Sequence, residues 1–89
     1  MKKFIDDDLG YLDWIHENPA GFVVNSYRKP SRKYLILHRA TCWTISTPAR
    51  TNWTTIDYIK ICSLHKTELE QWAEREVDGD LKPCQHCNP

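Results

Sequence analysis

The chain has 89 residues and a mass of 10.5 kDa, enough for one hydrophobic core and not two. Twelve Lys+Arg balance twelve Asp+Glu, which argues against a histone-like basic protein or an acidic tail. At 40% hydrophobic and 11% aromatic residues the sequence is too apolar for wholesale disorder, and it holds no run of about 18 apolar residues to span a membrane. The opening Met1-Lys2-Lys3-Phe4-Ile5 runs into Asp6-Asp7-Asp8 where a secretory leader needs its apolar stretch. The expectation is a soluble cytoplasmic protein without membrane contact.

In chain order, Asp8 to Glu17 reads as a short helix with Leu9, Leu12 and Ile15 on one face. Asn18-Pro19 stops it, and Gly21 supports a turn. Phe22 to Asn25 and Tyr34 to His38 read as two β-strands, close enough to pair across the turn Tyr27 to Lys33. From Thr41 to Thr55 the chain is rich in threonine, with Trp43, Arg50 and Trp53 among the hydroxyls. This stretch is expected to be a loop with one helical turn near Trp43, because Pro48 forbids a regular element through its centre. Asp57 to Cys62 alternates as a third strand. Thr67 and Glu70 form a capping-box pattern at the head of a helix over Glu68 to Val77, with Leu69, Trp72, Ala73 and Glu76 on one face. Gly79 is placed near the C′ position that ends it.

Charge is balanced only in sum. Residues 1–17 set two lysines against five acids, a net of −3. Residues 18–56 hold no acid and six cations, Arg28, Lys29, Arg32, Lys33, Arg39 and Arg50. Residues 57–89 set four cations against seven acids, again −3. A polyanion meets the local field rather than the sum; the plain alternative is a solvated surface whose counter-charges lie nearby in space.

The four cysteines carry the most specific signal. Cys84-x2-Cys87 can turn two sulfurs onto one ion, which is half of a tetrahedral site. The other half is either His38-x3-Cys42, leaving the second strand, or Cys62-x2-His65, leaving the third. The first is preferred because it places both ligands on a tight turn. Cys62 then reads as a small buried residue of the sheet, His65 as a surface or helix-entry residue, and His86 points away from the ion from inside the knuckle. Mixed His/Cys sets favour Zn2+. A full set of four protein ligands leaves no open coordination position, and no nucleophile motif or general base accompanies it, so the chain is not expected to be an enzyme. A thioredoxin-type role needs a helix to start at the CxxC pair, which the short Asn88-Pro89 remainder does not offer.

Phe22-Val23-Val24-Asn25, Leu37 to Cys42, Ile59 to Ser63 and Lys82-Pro83-Cys84-x2-Cys87-Asn88-Pro89 resemble, in order, the small zinc-binding domains of the Ada DNA-repair family. Related modules are appended to nucleases and other DNA-handling proteins. The resemblance covers residues 21–89 and leaves residues 1–20 as an N-terminal helical extension of a single compact unit. It implies an α+β fold, a small three-stranded antiparallel sheet with flanking helices, and one structural zinc held by His38, Cys42, Cys84 and Cys87. In that family the first ligand is a cysteine that accepts a methyl group. Here it is His38, and an imidazole is no thiolate nucleophile.

The expected function is nucleic-acid binding, DNA foremost, through Arg28, Lys29, Arg32, Lys33, Arg39, Trp43, Arg50 and Trp53. Cations would track phosphates and rings would stack on bases. For Trp43 and Trp53 the competing reading is that they roof the core. The alternative function is a protein-interaction adaptor or regulator docking on a larger DNA-handling enzyme. No small-molecule substrate is expected.

Overall fold

The computed structural model describes residues 1–47 and 50–89; Pro48, expected to interrupt the Thr-rich stretch, lies outside the described residues. In chain order the elements are β1 (Lys2–Phe4), α1 (Asp8–Glu17), β2 (Phe22–Tyr27), β3 (Leu35–Arg39), a 3-10 turn (Trp43–Ile45), β4 (Tyr58–Ser63), α2 (Lys66–Trp72) running into a π turn (Ala73–Val77), and β5 (Lys82–Pro83).

The sheet has five strands in the order β1-β4-β2-β3-β5 and is mixed, which corrects the expected three-stranded antiparallel sheet. The three expected strands form its centre. The β2–β3 hairpin pairs Val23 with His38 and Asn25 with Ile36, and β4 joins the other side of β2 with Cys62 against Val23 and Lys60 against Asn25. Two short edges were not legible. β1 pairs antiparallel with β4, Phe4 against Lys60, but three residues ahead of an acidic run show no periodicity. β5 pairs parallel with β3, Ile36 against Lys82 and Leu37 against Pro83. A proline argues against a central strand and is tolerated at an edge. The Cys84 N–H to Leu37 O bond of 2.8 Å anchors this edge.

Register separates two faces. Val24, Leu35, Leu37, Ile59 and Ile61 point to one side and pack under α2, against Leu69, Trp72 and Ala73. Val23, His38, Lys60 and Cys62 point to the other side. There α1 and the loop after β3 close a second core of Phe4, Tyr11, Ile15, Ala40, Cys42, Ile45 and Trp53. Residues 1–17 therefore contribute a strand and a helix to the same packed body.

Helix α1 has the predicted bounds and a different buried face. Asp7 caps it by accepting the Gly10 N–H at 2.9 Å, and the Asn18 side chain returns to Trp14 O at 2.9 Å. Tyr11 and Ile15 are buried, whereas Leu9 is 79% exposed. Tyr11 wins the inward position because its hydroxyl reaches Ile45 O at 2.6 Å, so the ring enters the core without an unpaired polar atom. The capping box at α2 does not form. The helix starts two residues before the expected Glu68, and Ser63 Oγ accepts the His65 N–H and donates to Glu68 Oε1 instead. The left-handed residue at the end of the π turn is Asp78, φ 53°, not Gly79. Gly79 serves close approach: a Cβ there would meet Arg32 Cβ at 2.7 Å.

Candidate metal centre

His38, Cys42, Cys84 and Cys87 are brought to one point, their ligand atoms all within 4.8 Å of one another. Strand alternation puts His38 on the α1-side face; Ala40 N–H to Gly21 O extends the β2–β3 ladder, and a tight turn follows, closed by Cys42 N–H to Arg39 O. Cys42 thereby arrives at the head of the 3-10 turn. Cys84 leaves β5 beside it, and the Asn88 N–H to Cys84 O bond closes the turn that carries Cys87. The residues of the competing pair lie elsewhere. Cys62 is buried within β4, where burial pushes its thiol up to about 12, and His65 is the exposed N-cap of α2. The His86 ring packs edge-on against Trp43 at 5.3 Å.

The arrangement fits a tetrahedral cation. Cys42 Sγ and Cys84 Sγ are 3.9 Å apart, close to the ~3.8 Å edge of a tetrahedron with zinc–sulfur bonds of ~2.3 Å. The sulfurs are also surrounded by donors. Arg39 N–H points to Cys87 Sγ at 3.3 Å, His86 N–H to Cys84 Sγ at 3.4 Å, and Thr44 Oγ1 lies 3.0 Å from Cys42 Sγ. Burial works to raise the Cys84 thiol, but hydrogen bonds from the backbone N–H groups of His86 and Cys87, with those of the Cys42 and Cys87 side chains, outweigh it and hold it below its ordinary value. Cys87 goes the other way, pushed up to about 11 by burial and then by the neighbouring Cys42 and Cys84. Three thiolates this close repel unless a cation sits between them. His38 is driven down to about 4, first by burial and then by Lys60 and His86, so its imidazole is neutral and free to ligate near pH 7. These four residues can hold a metal ion, and the donor set is that of a structural site.

The residues expected at a nucleic-acid surface are dispersed. Trp53 is 5% exposed and packs in the core with Tyr11, ring centroids 6.2 Å apart. Trp43 is 64% exposed beside the knuckle. Arg39 ties the two halves of the site together, donating from Nε to Cys87 O at 3.0 Å and from Nη2 to Asn88 O at 2.9 Å. Arg28 pairs with Asp6 at 2.8 Å and donates to Thr54 O, and Arg32 lies 3.7 Å from Asp78. The acidic ends thus supply some counter-charges to the basic middle. Lys29, Lys33 and Arg50 are exposed and have no ion pair among the described residues.

Two polar residues of this face escaped the sequence reading. Thr44 stands against Cys42 Sγ and, at 3.5 Å, against His38 Nδ1. Lys60 is 2% exposed, donating to Asn25 Oδ1 at 2.8 Å and to Trp53 O at 2.7 Å. The only sequence signal for Lys60 was its two-residue spacing from Cys62 on one strand. Comparison with known protein families, curated proteins and solved structures gives no match. Among the described residues no helix is long and apolar enough to cross a membrane.

Proposed function

We propose that the chain is a structural-zinc module that binds nucleic acid, DNA foremost, in a reducing cytoplasm where its thiols stay free for the metal. The metal reading rests on the convergence of His38, Cys42, Cys84 and Cys87. With four protein ligands the ion's role is to hold the fold rather than to activate a water. The resemblance to Ada-like domains agrees with this role, and His38 in the first ligand position agrees with a site that accepts no methyl group.

The nucleic-acid reading rests on one juxtaposition at the far end of the β2–β3 hairpin. Tyr27 is 41% exposed and stacks on Tyr34 and Tyr58, with centroids 5.0 and 5.9 Å away. The turn beside it carries Lys29 and Lys33, exposed and without an ion pair among the described residues. An open ring flanked by exposed ammonium groups suits a base and its phosphates. Fluorescence anisotropy with labelled single- and double-stranded DNA and RNA tests it across a salt series. Affinity is expected to fall steeply with salt, and Lys29→Ala/Lys33→Ala to weaken binding and flatten the slope by about one to two phosphate contacts. Binding that ignores salt, or its absence with every probe, defeats the reading.

A second reading, a protein-interaction adaptor, is favoured by the exposed Trp43 against His86. Trp43→Ala separates the two. Lost nucleic-acid affinity assigns the ring to the first reading. Unchanged affinity, with loss of a nuclease-resistant complex, assigns it to the second.

A further inference from the structure

A cleft of about 390 Å³ opens on the α1-side face, between the sheet and the loop that leads into β4. Its volume lies in the ~300–1,000 Å³ range of small-molecule sites. Its lining includes the half-buried Tyr34 and Tyr58, and its polar groups include Asn25, Arg50 and Lys60. Lys60 is the unusual member. Its ammonium is buried and within ion-pair distance of no carboxylate among the described residues. Its two hydrogen-bond acceptors are neutral, Asn25 Oδ1 and Trp53 O, which leaves one ammonium hydrogen without an acceptor among the described residues. The rings of Tyr11, Trp53 and Tyr58 lie 5.6–6.0 Å from Nζ and stabilise the charge without neutralising it. A buried cation is ordinarily paired. Arg50 adds a second cation to the lining, and Asp57 is the one acid among its described residues.

We propose that this cleft binds a nucleoside monophosphate, with the phosphate on the Lys60/Arg50 side and the base against Tyr34 and Tyr58. The aromatic walls suit a flat ring, the surplus cation suits an oxyanion, and the volume admits one nucleotide and not a duplex. The same chemical group is presented by a free mononucleotide and by the phosphorylated end of a single strand. The site borders the Tyr27 stack through Tyr34 and Tyr58 but does not include the Lys29/Lys33 turn, and it does not rest on the function proposed above. It also goes beyond the sequence reading, which expects no small-molecule substrate.

The test is calorimetric titration of the zinc-loaded chain with dTMP, with a 5′-phosphorylated thymidine pentamer, with the unphosphorylated pentamer and with inorganic phosphate. Arg50 is exposed, so Arg50→Ala leaves the core alone; Lys60→Met keeps the side-chain length without the charge. Binding of dTMP or of the phosphorylated pentamer is expected, weakened at least tenfold in Arg50→Ala and in any Lys60→Met protein that retains its zinc and circular dichroism. Should Lys60→Met not fold, Arg50→Ala decides alone. Binding of dTMP points to a free nucleotide, and binding of the phosphorylated pentamer alone points to a strand end. Amide shifts are expected at Asn52, Asp57, Tyr58 and Lys60 and not at residues 29–33. The proposal is overturned by equal binding of the unphosphorylated pentamer, by inorganic phosphate binding as tightly as dTMP, by an unchanged affinity in Arg50→Ala, or by no binding of either phosphorylated nucleotide.

Discussion

At Lys60 the ammonium group is held by two neutral oxygens and three aromatic faces. Burial drives its pKa down from 10.5 to about 8, against the smaller opposing pull of Cys62 and Asp8. The sign follows from proton counting. Between pH 8 and 10.5 the unfolded chain binds the proton and the folded chain releases it, so stability rises with pH across that window. Below pH 8 both states are charged and the full cost of burial applies. The separation corresponds to about 3 kcal/mol. Urea denaturation of the native chain and of Lys60→Met at pH 7.5 and 10.5 checks this, because thiol and metal titrations are common to both proteins. The native chain is expected to gain about 3 kcal/mol on the variant over that interval, and a constant difference would show the ammonium to be well solvated. Nothing along the chain announces this burial. In Tyr58-Ile59-Lys60-Ile61-Cys62 the two isoleucines announce an inward face, which leaves Lys60 on the side that ordinarily meets water. That side is covered only because α1 and the Thr-rich loop fold over it.

At the scale of elements, Asp8 fastens α1 to that loop. Its carboxylate accepts the Trp53 N–H at 3.2 Å and the Thr54 N–H and hydroxyl, both at 2.7 Å. Burial alone would raise its pKa, but these bonds prevail and hold it below the usual 3.8. The stability it contributes is therefore present above that value and fades as pH falls through the lower folded pKa. Asp8→Ala leaves the two N–H groups without their acceptor and is expected to cost about 2 kcal/mol, read as a shifted urea midpoint with an unchanged slope. A loop held this way needs no periodicity of its own, which is why Thr41 to Thr55 reads as unstructured apart from its helical turn, found at Trp43–Ile45. Helices and central strands were legible because each has a repeating face or a stop signal. The edges β1 and β5 have neither. Each is defined by the strand it joins, β4 and β3 respectively.

In the molecule as a whole, the candidate metal centre is the junction of two segments distant in the chain. It joins the end of β3 and the turn after it to the C-terminal knuckle, while Arg39 and the Cys84 N–H to Leu37 O bond repeat the link. Structural zinc contributes on the order of 10 kcal/mol in small domains, against a total stability of roughly 5–15 kcal/mol. Elemental analysis is expected to give one zinc per chain. Dialysis against a strong chelator, or Cys84→Ser, is expected to abolish cooperative thermal melting. A metal-free chain that still melts cooperatively at the same temperature would show that the two hydrophobic clusters, above and below the sheet, suffice without the ion.

Two kinds of information meet in this protein. Residue order alone carries the donor chemistry of the candidate site and the central elements, because spacing along the chain dictates both: two residues between Cys84 and Cys87, three between His38 and Cys42, and the alternation of β2, β3 and β4. Packing in three dimensions brings the His38/Cys42 half, not Cys62/His65, to the knuckle and adds two edges to the sheet. It alone placed Trp53 in the core and buried Lys60. These outcomes depend on which surfaces cover one another, and burial between segments far apart in sequence leaves no periodic trace in either of them.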